Sequence, residues 1–216
     1  MKYKTAIFDL DGTLLNTLED LTSAVNAALT NNQMRVRTME EVRTFVGNGI
    51  LKLMERAVPS GKENPAFEKA LRDFKTYYEI HCNDVTAPYP GILDTLKKLK
   101  EKGIKMAIVS NKADFAVKEL NSLYFEEIMD VSYGENEAQG IRKKPAPDMV
   151  LQALEDLSCK KDQAVYIGDS DVDLDTAEAV GIPCIGVSWG FRGRTFLEEK
   201  GVTVIIDRPE QLEDFF

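Results

Sequence analysis

The sequence predicts an α/β fold, a doubly wound parallel sheet with a helical segment inserted after its first strand. Short apolar runs recur along the chain with amphipathic helical patterns between them. The runs are nearly free of polar residues, as strands buried on both faces are. The interval 16–85 breaks the alternation and reads as helix throughout.

The first run, Lys4–Asp9, leads into Asp9-Leu10-Asp11-Gly12-Thr13. Side chains of an extended chain alternate faces, so Asp9 and Asp11 point one way and Leu10 returns to the core. Two carboxylates so placed repel each other unless a cation or a proton separates them. Gly12 permits a sharp turn. The pattern suits a divalent metal, a nucleophilic carboxylate and a second carboxyl that moves a proton.

Within the helical interval, Leu18, Leu21, Val25, Ala28 and Leu29 form one stripe. Thr38 and Glu41 are spaced as a capping box. Gly47-Asn48-Gly49 punctuates before a second stripe, Ile50, Leu53, Met54 and Ala57, and a last helix is predicted over Pro65–His81. Ala87-Pro88-Tyr89-Pro90-Gly91 then returns the chain to the sheet. The predicted organisation is a core of residues 1–15 and 86–216 and a helical cap of residues 16–85. An insertion at this point can act as a lid, because open α/β sheets bind ligands at the carboxyl ends of their strands.

Further strands are predicted at Lys105–Ser110, Ile128–Ser132, Ala164–Gly168, Pro183–Val187 and Val202–Ile206. Helices are predicted at Ile92–Glu101, Asp114–Leu123, Pro147–Leu157, Asp173–Val180 and Thr195–Lys200.

Composition narrows the function. A formal net charge of −9 over 216 residues argues against nucleic acid, which needs a basic face. Small anionic substrates remain open, because a bound metal locally inverts the field. No apolar run reaches the length of a membrane span, and Met1-Lys2-Tyr3-Lys4 leads into a strand and not into a signal peptide. Cys82, Cys159 and Cys184 are sparse and far apart, as reduced thiols are. A cytoplasmic location is expected, as monomer or homodimer. The single histidine, His81, excludes a His-rich zinc site and leaves acid–base work to carboxylates.

Four polar signals sit at or beyond the apolar runs: Asp9 with Asp11; Ser110-Asn111-Lys112; Lys144-Pro145; and Gly168-Asp169-Ser170-Asp171-Val172-Asp173. In a parallel sheet these strand ends share one edge, so the signals converge. Each alone has a plainer reading: a DG turn, a helix cap at Ser110, a solvated Arg142-Lys143-Lys144 run, an acidic helix start. Together they would require several coincidences of position. The acidic run is not an EF-hand, since its sixth and twelfth places hold Leu174 and Val180. There is no P-loop, and Gly47-x-Gly49 lacks the third glycine of a dinucleotide fingerprint.

The order DxDGT, Ser, Lys-Pro, GDxxxD resembles the haloacid dehalogenase superfamily of phosphotransferases, over nearly the whole chain. The helical insertion resembles its subgroup with an α-helical cap. A finer resemblance, to phosphoglycolate phosphatases, is carried by Asp20-Leu21, by 24–29, by Val46-Gly47-Asn48-Gly49, by Glu55-Arg56-Ala57, by Tyr89-Pro90-Gly91, by Ser110-Asn111-Lys112 and by Lys144-Pro145.

The resemblance implies a Mg²⁺-dependent phosphatase of a small phosphorylated metabolite, with 2-phosphoglycolate as first substrate. Asp9 would be the nucleophile that forms an aspartyl-phosphate, and Asp11 the proton donor and acceptor. Ser110, Asn111 and Lys144 would bind phosphate. Asp9, Asp11 through its carbonyl and Asp169 would hold the metal, with Asp173 behind them. Gly47, Asn48, Gly49 and Arg56 are candidate cap contacts to the rest of the substrate. Alternatives are a pyrophosphatase, a sugar-phosphate phosphatase or a β-phosphoglucomutase-like phosphotransferase, or a non-enzymatic phospho-aspartate switch.

Overall fold

The computed structural model describes residues 3–216. It divides into two compact units, Met1–Leu15 with Pro88–Phe216, and Asn16–Ala87. Strand β1 (Thr5–Phe8) opens the first unit. The chain leaves that unit through β2 (Leu15–Asn16), which pairs with the returning strand β3 (Ala87–Pro88).

The second unit is helical: α1 (Leu18–Asn31), α2 (Met39–Phe45), α3 (Ile50–Ala57) and α4 (Phe67–His81), with a 3₁₀ turn at Gly61–Glu63. Helix α1 buries the stripe Leu18, Leu21, Ala24, Val25, Ala28 and Leu29, mainly against α4, which buries Phe67, Ala70, Leu71, Phe74 and Tyr78. The capping box is formed: Thr38 Oγ1 accepts from the Glu41 amide at 3.2 Å, and Glu41 Oε2 accepts from the Thr38 amide at 2.9 Å. Asp20 is a polar exception in the α1 stripe. Its carboxylate accepts from the amides of Val85 and Thr86 and from the Thr86 hydroxyl, at 2.6–3.2 Å.

The first unit continues with α5 (Ile92–Glu101), β4 (Lys105–Ala113), α6 (Asp114–Tyr124), β5 (Val131–Glu135), α7 (Asp148–Asp156), β6 (Ala164–Gly168), α8 (Asp171–Val180), β7 (Cys184–Val187), α9 (Gly193–Glu199) and β8 (Ile205–Ile206). A 3₁₀ segment, Pro209–Phe215, follows. The six-stranded sheet has the order β5-β4-β1-β6-β7-β8, and the paired strands run parallel. Alternation along β1 sends Ala6 and Phe8 into one core, with Met106, Ile108, Val165 and Ile167. Ile7 enters the other, with Ala107, Val109 and Tyr166. Burial on both faces accounts for the unbroken apolar runs.

This topology positions the site. The chain winds outward from β1 through β4 and β5 on one side, then through β6, β7 and β8 on the other. The switch point therefore lies at the carboxyl end of β1, where such sheets bind ligands. Register brings Phe8 opposite both Ile108 and Ile167. The residues just beyond these, Asp9, Ser110 and Asp169, emerge at one rim.

Several bounds differ from the sequence expectation. Strand β4 runs past Ser110 to Ala113, because Asn111 and Lys112 have buried partners and do not end the strand. Helix α8 begins at Asp171 and not at Asp173, because the Asp173 carboxylate reaches back to the Ser170 amide and hydroxyl. Strand β5 lies three residues later than expected, and Ile128 and Met129 enter the core from the preceding turn. Edge strand β8 keeps only two of five expected residues, having only β7 to pair with.

Candidate active site

The turn after β1 is tight. The Leu10 carbonyl accepts from the amides of Thr13, Leu14 and Leu15 at 3.0–3.3 Å. Gly12 has φ +84°, and a Cβ there would lie 2.5 Å from Asp169 Oδ2. Only glycine both accepts that backbone and lets this turn approach the loop that carries Asp169 so closely.

Asp9 is 8% exposed. Its Oδ1 accepts from the Leu10 amide at 2.7 Å and lies 2.9 Å from Lys144 Nζ. Burial pushes the Asp9 carboxyl up to about 7, against the pull of Lys144 and with the added repulsion of Asp173 and Asp11.

Lys144 is nearly inaccessible and meets three partners: Asp9, Asp173 Oδ1 at 2.7 Å and the Tyr166 hydroxyl oxygen at 3.0 Å. Burial would push its ammonium down, but Asp173 and Asp9 overturn that and hold it well above the usual range. Asn111 fixes the lysine's main chain, donating from Nδ2 to the Lys144 carbonyl at 3.0 Å and accepting at Oδ1 from the Lys144 amide at 2.7 Å. This contact makes Asn111 a holder of Lys144. Ser110, next to Asn111 in the same strand, is 2% exposed.

Asp169 follows β6. Its Oδ2 accepts from the Phe191 amide at 2.6 Å. Burial, then the charges of Asp173 and Asp9, raise its carboxyl well above the usual range. Asp9, Asp169 and Asp173 present carboxylate oxygens all within 4.8 Å of one another. Asp173 commits both of its oxygens, Oδ1 to Lys144 and Oδ2 to Ser170.

These residues fit a divalent cation. Asp9, Asp11, Asp169 and Asp173 face two ammonium groups, Lys112 and Lys144, which leaves a formal excess of two negative charges. At an effective dielectric near 20, two like charges about 4 Å apart repel by about 4 kcal/mol. A divalent ion would cancel the excess and let the buried carboxylates ionise.

The rim thus gathers Asp9, Asp169, Lys144, Asn111 and Asp173, with Ser110 beside Asn111 in β4. Gly47, Asn48, Gly49 and Arg56 lie in the inserted unit. There Gly49, at φ +83°, precedes α3, and Arg56 donates to the Phe45 carbonyl at 2.7 Å and to Asn48 Oδ1 at 2.9 Å.

Three groups received no role in the sequence reading of the site, although Lys112 was named there within Ser110-Asn111-Lys112. Lys112 is 5% exposed, with Nζ 2.9 Å from Asp11 Oδ1 and 3.3 Å from Oδ2. Its signal was the strand period, which places it on the face of Ser110. Tyr166, the one polar tip in Ala164–Gly168, holds Lys144 and donates to the Val109 carbonyl at 3.0 Å. The loop after β7 forms a further wall. Trp189 Nε1 donates to the Thr13 carbonyl at 3.0 Å, and a Cβ on Gly190 would lie 2.3 Å from Asp169 Cβ. Its glycine gives no sign in sequence of what it packs against.

Residues 6–187 match the family model of haloacid dehalogenase-like hydrolases. A Pseudomonas fluorescens protein named phosphoglycolate phosphatase is 32% identical over 97% of this chain and 78% of its own length. A protein of the same name from Salmonella typhimurium is 31% identical over 97% of this chain and 88% of its own. A crystal structure from Lactobacillus delbrueckii subsp. bulgaricus, described as that of a candidate phosphoglycolate phosphatase, is 41% identical with a TM-score of 0.94, covering 99% of this chain and 98% of that one. CbbY from Rhodobacter sphaeroides, solved in complex with phosphate, is 25% identical with a TM-score of 0.77, covering 97% and 96% of the two chains. With its rim of carboxylates and its match over most of its length, the chain belongs to the haloacid dehalogenase-like hydrolase family.

Proposed function

We propose that this protein is a Mg²⁺-dependent phosphatase of small phosphorylated metabolites, 2-phosphoglycolate first among them, acting through an aspartyl-phosphate on Asp9. The observation that carries the reading is the placement of Asp9. It is a buried carboxylate at the switch point of the sheet, 2.9 Å from Lys144 and grouped with Asp169. The names of the relatives support the substrate class.

Asp9 and Asp169 would hold the ion with the Asp11 carbonyl, since Asp173 is already engaged by Lys144 and Ser170. Magnesium, a hard cation that favours oxygen ligands, would supply charge neutralisation between the carboxylates and the phosphate oxygens. The Asp9 carboxylate attacks phosphorus, and the bond to the leaving oxygen breaks with its electron pair. Asp11 gives that oxygen a proton. Asp11 then takes a proton from water, whose oxygen attacks phosphorus and releases Asp9 and inorganic phosphate. Lys144 and the Ser110 hydroxyl bind the phosphoryl oxygens throughout. Residues 16–85 would serve as the cap, with the amides around Gly47–Gly49, braced by Arg56, as candidate carboxylate donors. The expected location is cytoplasmic.

The test is a hydrolysis screen over small phosphorylated metabolites, including 2-phosphoglycolate and pyrophosphate, with Mg²⁺ and with EDTA. Asp9→Asn should abolish turnover, by at least about 10⁴-fold, in a protein that still folds. Near-wild-type activity in that variant, or full turnover in EDTA, would remove the reading.

A further inference from the structure

We infer that Lys112 is a positioning residue for Asp11, fixing the carboxyl that transfers the proton; the inference rests on the phosphatase reading above. Lys112 Nζ lies 2.9 Å from Asp11 Oδ1 and 3.3 Å from Oδ2, so one ammonium spans both oxygens. The lysine side chain is 2% exposed and that of Asp11 is 14% exposed. A pair this enclosed is not a solvated surface bridge, and its geometry is little averaged by water.

The placement has a purpose that Lys144 cannot serve. Lys144 is committed to Asp9, Asp173 and Tyr166. Asp11 lies two residues past Asp9, and the amides of residues 12–15 that follow it donate to the carbonyls of Leu10 and Leu15. Lys112 belongs to the strand end that carries Ser110, and its amide donates to Ser110 Oγ at 3.4 Å. One three-residue segment, Ser110-Asn111-Lys112, therefore ties three parts of the site together. Ser110 is the phosphoryl contact of the reading above, Asn111 holds the main chain of Lys144, and Lys112 holds Asp11. A carboxyl that must meet a leaving oxygen and then a water needs one fixed orientation, since small misplacement costs proton transfer heavily.

Positioning of the proton-transfer group makes a leaving-group signature that loss of packing does not. Lys112→Met keeps the length and apolar stem while removing the ammonium. With an alkyl phosphate such as 2-phosphoglycolate, whose leaving oxygen needs the proton, kcat should fall about 10- to 100-fold with KM changed less than about threefold. With p-nitrophenyl phosphate, whose leaving group departs unprotonated, the first step should survive. The variant should then show a burst of nitrophenol near one per enzyme, followed by slow turnover, because water activation by Asp11 is still impaired. Lys112→Arg should recover part of the alkyl-phosphate rate. Equal losses on both substrates without a burst, or a wild-type kcat, would overturn the inference. So would a change confined to KM, which would make Lys112 a substrate contact. Failure of the phosphatase reading is separable, since wild-type protein would then form no acid-stable, Asp9-dependent phosphoenzyme with either substrate.

Discussion

Lys144 Nζ lies 2.7 Å from Asp173 Oδ1, and neither side chain exceeds 2% exposure. The same ammonium lies 2.9 Å from Asp9. Removing it strands two buried carboxylates, and breaking such a group from one side costs about 3–5 kcal/mol. Lys144→Met should therefore lower urea-unfolding stability by about that amount at neutral pH, and cut turnover at least about 10³-fold through loss of phosphoryl binding. Lys143→Met, next in sequence, removes only a surface contact to Glu137 and should be nearly neutral. Equal effects of the two substitutions would mean that Lys144 acts as an ordinary surface charge.

Metal and protons should compete at this rim. Burial first of all pushes the Asp9 carboxyl up to about 7 from its ordinary value of 3.8, and Asp169 is shifted the same way. The folded state then binds protons more tightly than the unfolded one, so these groups stabilise at low pH and lose that stability as pH rises from about 4 through about 7. Exposed carboxylates such as Asp148 and Glu213, lowered by their partners, act in the opposite sense. They cancel in the difference between melts with Mg²⁺ and with EDTA. That Mg²⁺-induced rise in Tm should be large near pH 8 and small near about pH 5, and Asp9→Asn should shrink it. The same increment at both pH values would show that the ion does not bind at Asp9.

The sheet was legible because its strands are buried on both faces, which writes itself as unbroken apolar runs such as Ala6-Ile7-Phe8 and Val165-Tyr166-Ile167. Asp9, Lys144 and Asp169 were legible for a related reason. Each is a charged residue just past such a run or just before a helix, and parallel register delivers those positions to one rim. The roles of Lys112 and Tyr166 were not, since Lys112 stood out only as part of Ser110-Asn111-Lys112 and a tyrosine inside a strand usually means nothing more than packing. What distinguishes them is a partner 101 or 22 residues away in sequence. Gly190 was the least legible, because a glycine states only that a side chain is missing, not what occupies its space.

Gly190 yields a sharp prediction. A Cβ there would stand 2.3 Å from Asp169 Cβ and 2.4 Å from the Gly12 carbonyl oxygen, one a side chain at its rigid root and the other backbone. Neither can swing aside, so Gly190→Ala must push Asp169 off its hydrogen bond to the Phe191 amide. Displacing a ligand's support typically weakens metal affinity about 10- to 100-fold. The Mg²⁺ concentration for half-maximal activity should rise accordingly, with a stability loss of about 1–3 kcal/mol. Gly193→Ala, three residues on, meets nothing within 4 Å of its Cβ, but its φ of +74° makes it strained. It should destabilise without moving the Mg²⁺ requirement. A shared effect on the Mg²⁺ requirement would assign the Gly190 result to general strain.

Asp20 offers a test in the inserted unit alone. It is 2% exposed and receives hydrogen bonds from Val85, from the Thr86 amide at 2.8 Å and from the Thr86 hydroxyl at 2.6 Å. The carboxylate thereby ties the first turn of α1 to the segment that precedes β3, and the two ends of a 72-residue excursion, Asn16–Ala87, are held by one side chain. Hydrogen bonds to a charged acceptor contribute about 1.5–3 kcal/mol each, and their loss leaves the Thr86 donors buried and unmet. Asp20→Ala should cost about 3 kcal/mol in urea unfolding. Asp20→Asn, which keeps one accepting oxygen, should cost less. Thr86→Val removes only the hydroxyl and should cost about 1 kcal/mol, and the double variant should show about 1 kcal/mol of coupling, because both substitutions break the same bond. Strict additivity would mean that Asp20 is held by the α1 turn itself and that the tie to Thr86 contributes nothing to the fold.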